Sequence, residues 1–290
     1  MSQLFNTQYV DEKYSAIIEP NLYYDSVLVP GVTFDNRYEE QAGGIFIHKL
    51  GTSGFIAPTT PGSDYTHATV ADTLIQAVFN NEFDRSREVR GVTASSVAYN
   101  KAEAELAEAI QEVKQGWMLS GLACLAFEST DASDTTALSI SNMETQFLGD
   151  RAALVTAKAK PDFALMSPAA YNLTLQVAGD NYRLVANERI IGMAGVGMWY
   201  GLNVIECNGF SETVVTYYDH SGTLITYNLS AIDYIMGDHR AFSVLDSFSA
   251  LRLIESTDFP GSYAQVTFNT AYRVTNSACV LTKYNGAPTA

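Results

Sequence analysis

The sequence predicts an α+β fold, and three observations lead to that class. A long helical pattern occupies the second quarter of the chain, the last third is almost entirely strand-like, and helices and strands otherwise alternate without an internal repeat. The 290 residues suffice for one large domain or two smaller ones. A hydrophobic fraction of 47% with 17% charged residues is typical of a folded protein with a substantial core.

The first 30 residues carry many large apolar and aromatic side chains, Tyr23 and Tyr24 among them, but no helical period. Such a segment cannot fold alone and is too apolar to stay in water. We therefore predict an arm that lies across another protein surface. An N-terminal strand and helix of the same domain is the alternative.

Residues 31–66 predict a hairpin that projects from the body. Two strand-like runs, 31–34 and 44–50, flank a polar stretch, and a loop rich in Gly, Pro, Ser and Thr follows at 51–66. We expect the two runs to pair with each other. A lone two-stranded ribbon cannot bury its apolar side chains, so we expect them to contact a neighbouring subunit; they are Phe34, Ile45, Phe46 and Ile47.

The stretch 93–127 predicts one long helix, roughly 40–50 Å in length at about 1.5 Å per residue. Its large apolar residues recur at steps of three and four and include Ile110 and Val113, which we expect to face the body. Glu105 and Glu112 lie on the other face, where we expect solvent.

Later elements follow from local patterns. Ser167 and Pro168 are an N-cap and a first helical residue, and Asp219 to Gly222 form the turn of a hairpin. The predicted helices are 143–158 and 168–178. The predicted strands are 163–166, 202–206, 214–218, 224–227, 241–244, 251–255, 265–268 and 278–281, while 70–83 is ambiguous between strand and helix.

Composition and motifs argue against several classes of function. A net charge of −15 opposes binding to phosphate backbones, and the longest near-apolar run, 117–127, is too short to span a bilayer. The chain start lacks a signal-peptide pattern, and Cys124, Cys207 and Cys279 sit in apolar surroundings typical of buried thiols in a reducing compartment. We expect a soluble protein that is intracellular when made.

We predict no catalytic, cofactor-binding or metal residue and no enzyme. The four histidines lack metal-ligand spacing. Asp219, His220 and Ser221 are adjacent and so cannot align as a triad. The glycines from 192 to 201 miss the dinucleotide spacing. An enzyme with an unrecognised site remains an alternative.

The order of these parts resembles the major capsid proteins of tailed bacteriophages, which have the fold named after phage Hong Kong 97. The stretch whose residues most resemble the sequences of this family is Pro161 to Tyr171. The segments 192–204, 234–243 and 252–274 also fit the family pattern. By this resemblance the chain comprises an N-terminal arm (1–30), an extended E-loop (31–66), a P-domain with a spine helix (67–140, helix 93–127), an A-domain (141–240) and a return into the P-domain sheet (241–290).

The resemblance implies hexamers and pentamers that tile an icosahedral shell around double-stranded DNA, without sequence-specific binding to it. It also implies a separate scaffolding protein, a portal, and assembly in the host bacterial cytoplasm. Tyr23, Tyr24, Phe34, Ile45, Phe46 and Ile47 would then be assembly residues. The alternative with the same fold is an encapsulin-like compartment for protein cargo; a tail-tube or adhesin protein is disfavoured by the long helix.

Overall fold

A computed structural model describes residues 26–35, 45–50, 72–90, 101–178, 183–184, 196–258 and 260–286. Contacts within the chain separate two compact units. Unit 1 includes Glu82–Trp117 and Phe248–Phe268, and unit 2 includes Asp25–Asn81, Met118–Ser247 and Asn269–Ala290. These units do not coincide with the five predicted segments, and the division into arm, E-loop, P-domain and A-domain stays a prediction.

The three predicted helices are confirmed. They are α1 (Lys101–Glu128), α2 (Met143–Thr156) and α3 (Pro168–Ala178); residues 93–100, the predicted start of α1, lie outside the described part. The fourteen described strands are β1 (Ile45–Leu50), β2 (Asp72–Ala77), β3 (Asn81–Arg90), β4 (Thr130–Asp131), β5 (Phe163–Met166), β6 (Arg183–Leu184), β7 (Val196–Trp199), β8 (Leu202–Glu206), β9 (Val215–Tyr218), β10 (Leu224–Tyr227), β11 (Ile232–Gly237), β12 (Phe242–Glu255), β13 (Gly261–Val274) and β14 (Val280–Tyr284).

In unit 1, the apolar face of α1 packs as its periodicity predicts. Ala109 and Val113 are buried with Val266, and Ile110 packs against them half-buried. The prediction for the other face of α1, that Glu105 and Glu112 face solvent, is only partly right. Arg87 on β3 donates from Nη1 to Glu105 (2.8 Å) and from Nη2 to Glu112 (2.6 Å), so both carboxylates are half-buried ion-pair partners.

The core of unit 2 is a seven-stranded sheet in the order β4-β14-β11-β5-β8-β7-β6. β5 runs parallel to β8 and antiparallel to β11. The apolar run Phe163–Met166 is buried at every residue, as expected of a central strand. Helix α3 packs on β5, β8 and β11, and α2 packs on α3 and β14.

An aromatic cluster joins α2 to the sheet. The ring of Phe147 lies 4.6 Å from that of Trp199 and 5.8 Å from that of Tyr234, measured between centroids. All three side chains are buried, and Phe147 occupies the same helical face as Met143 and Leu154. This cluster fixes which face of α2 points inward.

The predicted pairing within the hairpin is wrong. β1 pairs antiparallel with β2, so that Ile47 lies opposite Ile75, whereas residues 29–33 form a turn. Gly31 adopts φ 72°, and the Thr33 hydroxyl accepts a hydrogen bond from the Val29 amide at 2.8 Å. A positive φ and a local side-chain bond both interrupt an extended strand, so 31–34 cannot serve as the hairpin's second strand.

From residue 241 onward the structure has three strands, β12 to β14, where four shorter ones were predicted. β12 runs unbroken through the two predicted strands 241–244 and 251–255, and β13 exceeds the predicted 265–268 at both ends. These two strands form a three-stranded sheet with β3, in the order β12-β13-β3.

Candidate functional site

The predicted assembly residues fall into two groups. Phe34 and Ile47 are only 2% and 5% exposed, and Ile47 packs with Ala77, Leu245 and Ala271. Both side chains are thus covered within their own chain. For Ile47, residues of β2, β12 and β13 supply the apolar neighbours that a lone hairpin lacks. The side chains of Ile45 and Phe46, and the whole of Tyr23 and Tyr24, lie outside the described part.

One group of potential metal ligands occurs among the described residues: Asp162, Asp238 and His239, whose ligand atoms lie within 4.8 Å of one another. The His239 amide donates to Asp162 Oδ1 at 3.0 Å, and the imidazole Nδ1 contacts Oδ2. Asp238 accepts from the Arg240 amide at 3.1 Å and from its Nε at 2.9 Å. The cluster therefore ties the turn between β11 and β12 to the start of β5.

The electrostatics of this cluster suit a capped turn better than a cation site. Burial tends to raise the pKa of Asp238, but the hydrogen bonds from Arg240 and Lys160 outweigh it and lower the pKa. Burial raises the pKa of Asp162, against the opposing effect of His239. A guanidinium already neutralises one carboxylate and would repel a metal ion. This cluster was not predicted from the sequence, although the adjacent Asp238, His239 and Arg240 were a visible signal.

A second charged group surrounds an open depression of about 410 Å³ in unit 2. Glu128, the last residue of α1, accepts from Arg273 Nη1 and from the Val274 amide, both at 2.8 Å. The same Nη1 donates to His220 Nδ1 at 2.6 Å, which requires an unprotonated Nδ1. Phe127 also lines the depression. The ionic groups satisfy one another and leave no aligned nucleophile and base among them.

The turn predicted at Asp219 is confirmed. Its Oδ1 accepts from the amides of Ser221 and Thr223, each at 2.8 Å, and from the Ser221 hydroxyl at 2.7 Å. The carboxylate is thereby committed to closing the β9–β10 ribbon, as Asp does in such turns. The alternative of a catalytic triad finds no support in this geometry.

A buried polar cluster in the seven-stranded sheet was not predicted. Lys283 on β14 is fully buried and donates to the Asp134 carbonyl. Tyr234 donates to Asp150 Oδ2 at 2.6 Å. Asp233 is also buried, and its Oδ2 has no hydrogen-bond partner. Strand alternation alone did not reveal these groups, because Lys and Asp in a strand are normally assigned to the solvated face.

Several large apolar side chains stay exposed on unit 2. Some lie on helices α2 and α3 and others on the β9–β10 ribbon. The set is Leu74, Phe127, Ile140, Leu148, Val155, Leu175, Met198, Val214, Tyr218 and Leu224. No described helix combines the length and the apolarity needed to cross a membrane.

Comparisons with known proteins converge on one fold. A chain from Mycobacterium phage Che8 superposes with a TM-score of 0.68 over 95% of this chain and 97% of its own, at 13% identity. The capsid structure of cyanophage P-SCSP1u gives 0.69 over 98% and 94%, at 10% identity. The asymmetric unit of the bacteriophage PhiM1 mature capsid gives 0.64 over 94% and 91%, at 12% identity.

The chain has the fold of phage capsid proteins. The capsid resemblance read from the sequence is thus confirmed at the level of the fold. No protein-family model matches the chain, and no curated protein is similar to it in sequence. The fold is therefore visible in three dimensions where sequence similarity has fallen to 13% or less.

Proposed function

We propose that this chain is the major capsid protein of a tailed bacteriophage. It assembles into hexamers and pentamers, which form an icosahedral shell around a double-stranded DNA genome. The observation that carries the proposal is coverage: the likeness to the capsid chains of P-SCSP1u and PhiM1 extends over more than nine-tenths of both partners. If the two proteins shared only a core and carried unrelated additional segments, the superposition would leave part of at least one chain unmatched.

The chemistry of the described residues supports a structural role. The two clusters that could suggest a reactive site, at His239 and at His220, are made of groups that already pair with each other. We propose no catalytic residue, no cofactor and no metal. The exposed apolar side chains of unit 2 fit a protein that buries further surface when it associates.

The parts of the shell protein remain as the resemblance assigns them. Residues 1–30 act as an arm, 31–66 as the E-loop, 93–127 as the spine helix and 141–240 as the A-domain. Tyr23, Tyr24, Ile45 and Phe46 are the proposed contacts with neighbouring subunits. A separate scaffolding protein and a portal act in assembly, which takes place in the host bacterial cytoplasm.

Electron microscopy and sedimentation of the purified 31.6 kDa chain test the proposal. We expect capsomers or hollow shells at micromolar concentration, because many modest contacts per subunit give a stable closed shell. A monomer at every salt concentration, with and without the scaffolding protein, would refute it. Shells that enclose protein cargo instead of DNA in infected cells would favour an encapsulin-like compartment.

A further inference from the structure

The chain contains two Asn-Gly pairs, Asn208–Gly209 and Asn285–Gly286. This dipeptide can rearrange without an enzyme, because glycine has no Cβ to shield its backbone nitrogen and lets the peptide rotate. The nitrogen can then attack the amide carbon of the preceding asparagine side chain. Since the reacting atoms must first be brought close and aligned, local structure decides which of two identical dipeptides reacts.

The Asn208–Gly209 pair is held in an unreactive arrangement. It begins a short 3₁₀ helix, Asn208–Ser211. The Gly209 amide, whose nitrogen would be the nucleophile, donates to the Cys207 sulfur. Gly209 is also buried, and a Cβ added there would lie 3.1 Å from Leu119 Cδ2. The peptide therefore has little room to rotate, although the Asn208 side chain is exposed.

The Asn285–Gly286 pair is less restrained. It follows strand β14, and Asn285 is exposed while Gly286 is half-buried. The Asn285 backbone amide donates to the Ala231 carbonyl at 2.8 Å, which anchors the residue but not the peptide bond after it. Within the described ranges, neither the Asn285 side chain nor the Gly286 amide has a hydrogen-bond partner. Gly286 adopts φ 109°, and a Cβ there would meet nothing within 4 Å, so the peptide has space to rotate.

We propose that Asn285 is a site of spontaneous deamidation in the folded chain and that the fold protects Asn208. The Gly286 nitrogen bonds to Asn285 Cγ and gives up its proton, while the Cγ–Nδ2 bond breaks and Nδ2 leaves as ammonia. The product is a cyclic succinimide, which water then opens. Cleavage between the nitrogen and Cγ gives aspartate, and cleavage between the nitrogen and the main-chain carbonyl carbon gives isoaspartate. Neither route needs an oxidant or a reductant.

The modification changes the charge and the path of the chain after β14. Either product adds one negative charge to a chain whose net charge is −15. Isoaspartate also carries the main chain through Cβ and Cγ of residue 285, which lengthens the backbone by one carbon atom. The Asn285–Ala231 hydrogen bond precedes the altered bonds, so we expect the seven-stranded sheet to stay intact. This inference does not depend on the proposed shell function.

Mass spectrometry of the purified full chain tests the proposal. Folded samples are incubated in mildly acidic or mildly alkaline buffer and then digested with trypsin in heavy-oxygen water, so that deamidation during digestion is recognised by its isotope. Cleavage after Lys283 releases Asn285 in a peptide that begins at Tyr284, and fragmentation spectra locate any change at Asn208. Because a misplaced reacting group can slow a reaction by about 100-fold, we expect Asn285 to convert at least about tenfold faster than Asn208. Conversion should be faster in the alkaline buffer, where the Gly286 nitrogen loses its proton more readily.

Unfolding is the matched control, because it removes the structural difference between the two dipeptides. In concentrated guanidinium chloride, Asn208 and Asn285 should convert at similar rates. Asn285→Gln is the second control: its longer side chain has to close a larger ring that forms more slowly, so this position should stay almost unmodified while circular dichroism matches wild type. A folded chain in which Asn285 converts no faster than Asn208 would overturn the proposal. An Asn208 that stays unreactive after unfolding would also overturn it, because its protection would then not come from the fold.

Discussion

Among single residues, Asp233 shows how burial of a carboxylate affects the free energy of unfolding. It is 7% exposed, and one oxygen lacks a hydrogen-bond partner. Burial raises its pKa to about 6, even though the charge of Lys283 acts in the opposite direction. An Asp in the unfolded chain has a pKa of about 3.9. The folded state therefore retains a proton between about pH 4 and pH 6 that the unfolded state has lost.

The sign of the pH dependence follows directly. The folded state binds more protons in that window, so the free energy of unfolding falls as the pH rises through it, by up to about 3 kcal/mol for a two-unit shift. Asp233→Asn removes the titration. We expect the variant to lose this part of the slope between pH 4 and pH 6, measured by urea unfolding.

Glu103→Gln is the control for that measurement, because Glu103 is an exposed carboxylate on α1. Its slope should match that of wild type. Equal slopes for Asp233→Asn and wild type would show that Asp233 keeps its charge in the folded protein without penalty.

At the scale of elements, two helical glycines differ in the space that surrounds them. A Cβ on Gly121 in α1 would lie 2.7 Å from Leu28 Cδ1 and 2.9 Å from Tyr272 Cε1. A Cβ on Gly149 in α2 would contact nothing. Gly121 therefore permits close packing on the helix, whereas Gly149 lowers helix propensity with no gain inside the chain.

We expect the same substitution to have opposite effects at these sites. Gly121→Ala should lower the free energy of unfolding by about 1 kcal/mol, because overpacking a core costs about 1–3 kcal/mol and outweighs the gain in propensity. Gly149→Ala should raise it by up to about 1 kcal/mol. Urea unfolding of unassembled subunits measures both. A rise in both variants would mean that Leu28 and Tyr272 move aside without cost.

Local pattern sufficed for the helices and for the β9–β10 ribbon, because periodicity, caps and turn residues lie within a few positions of each other. It failed for the first hairpin, since nothing in residues 44–50 specifies a partner at 72–77. The Asp162–His239 contact joins residues 77 positions apart. Of the predicted assembly residues, Ile47 is buried by later strands that a local window could not include.

For the whole molecule, charge distribution matters more than its sum. The chain has 32 acidic and 17 basic residues, and several of its cations are already engaged. Arg85 and Arg87 pair with Glu112, Arg240 with Asp238 and Arg273 with Glu128. Non-specific affinity for DNA comes mainly from the release of counterions when Lys and Arg neutralise phosphates. An arginine that is already paired with a carboxylate releases few counterions and so contributes little to this affinity. A shell built of such subunits should let the genome slide along its wall.

The corresponding prediction is that isolated subunits bind duplex DNA more weakly than typical non-specific DNA-binding proteins, whose Kd is about 10⁻⁴–10⁻⁶ M at physiological salt. A gel shift with about 1 μM subunit should therefore show free DNA only. Lowering the salt tenfold should not produce a complex, because the dominant interaction is repulsion between the acidic chain and the phosphates. A salt-sensitive complex at nanomolar subunit would contradict this, and would indicate a basic surface patch.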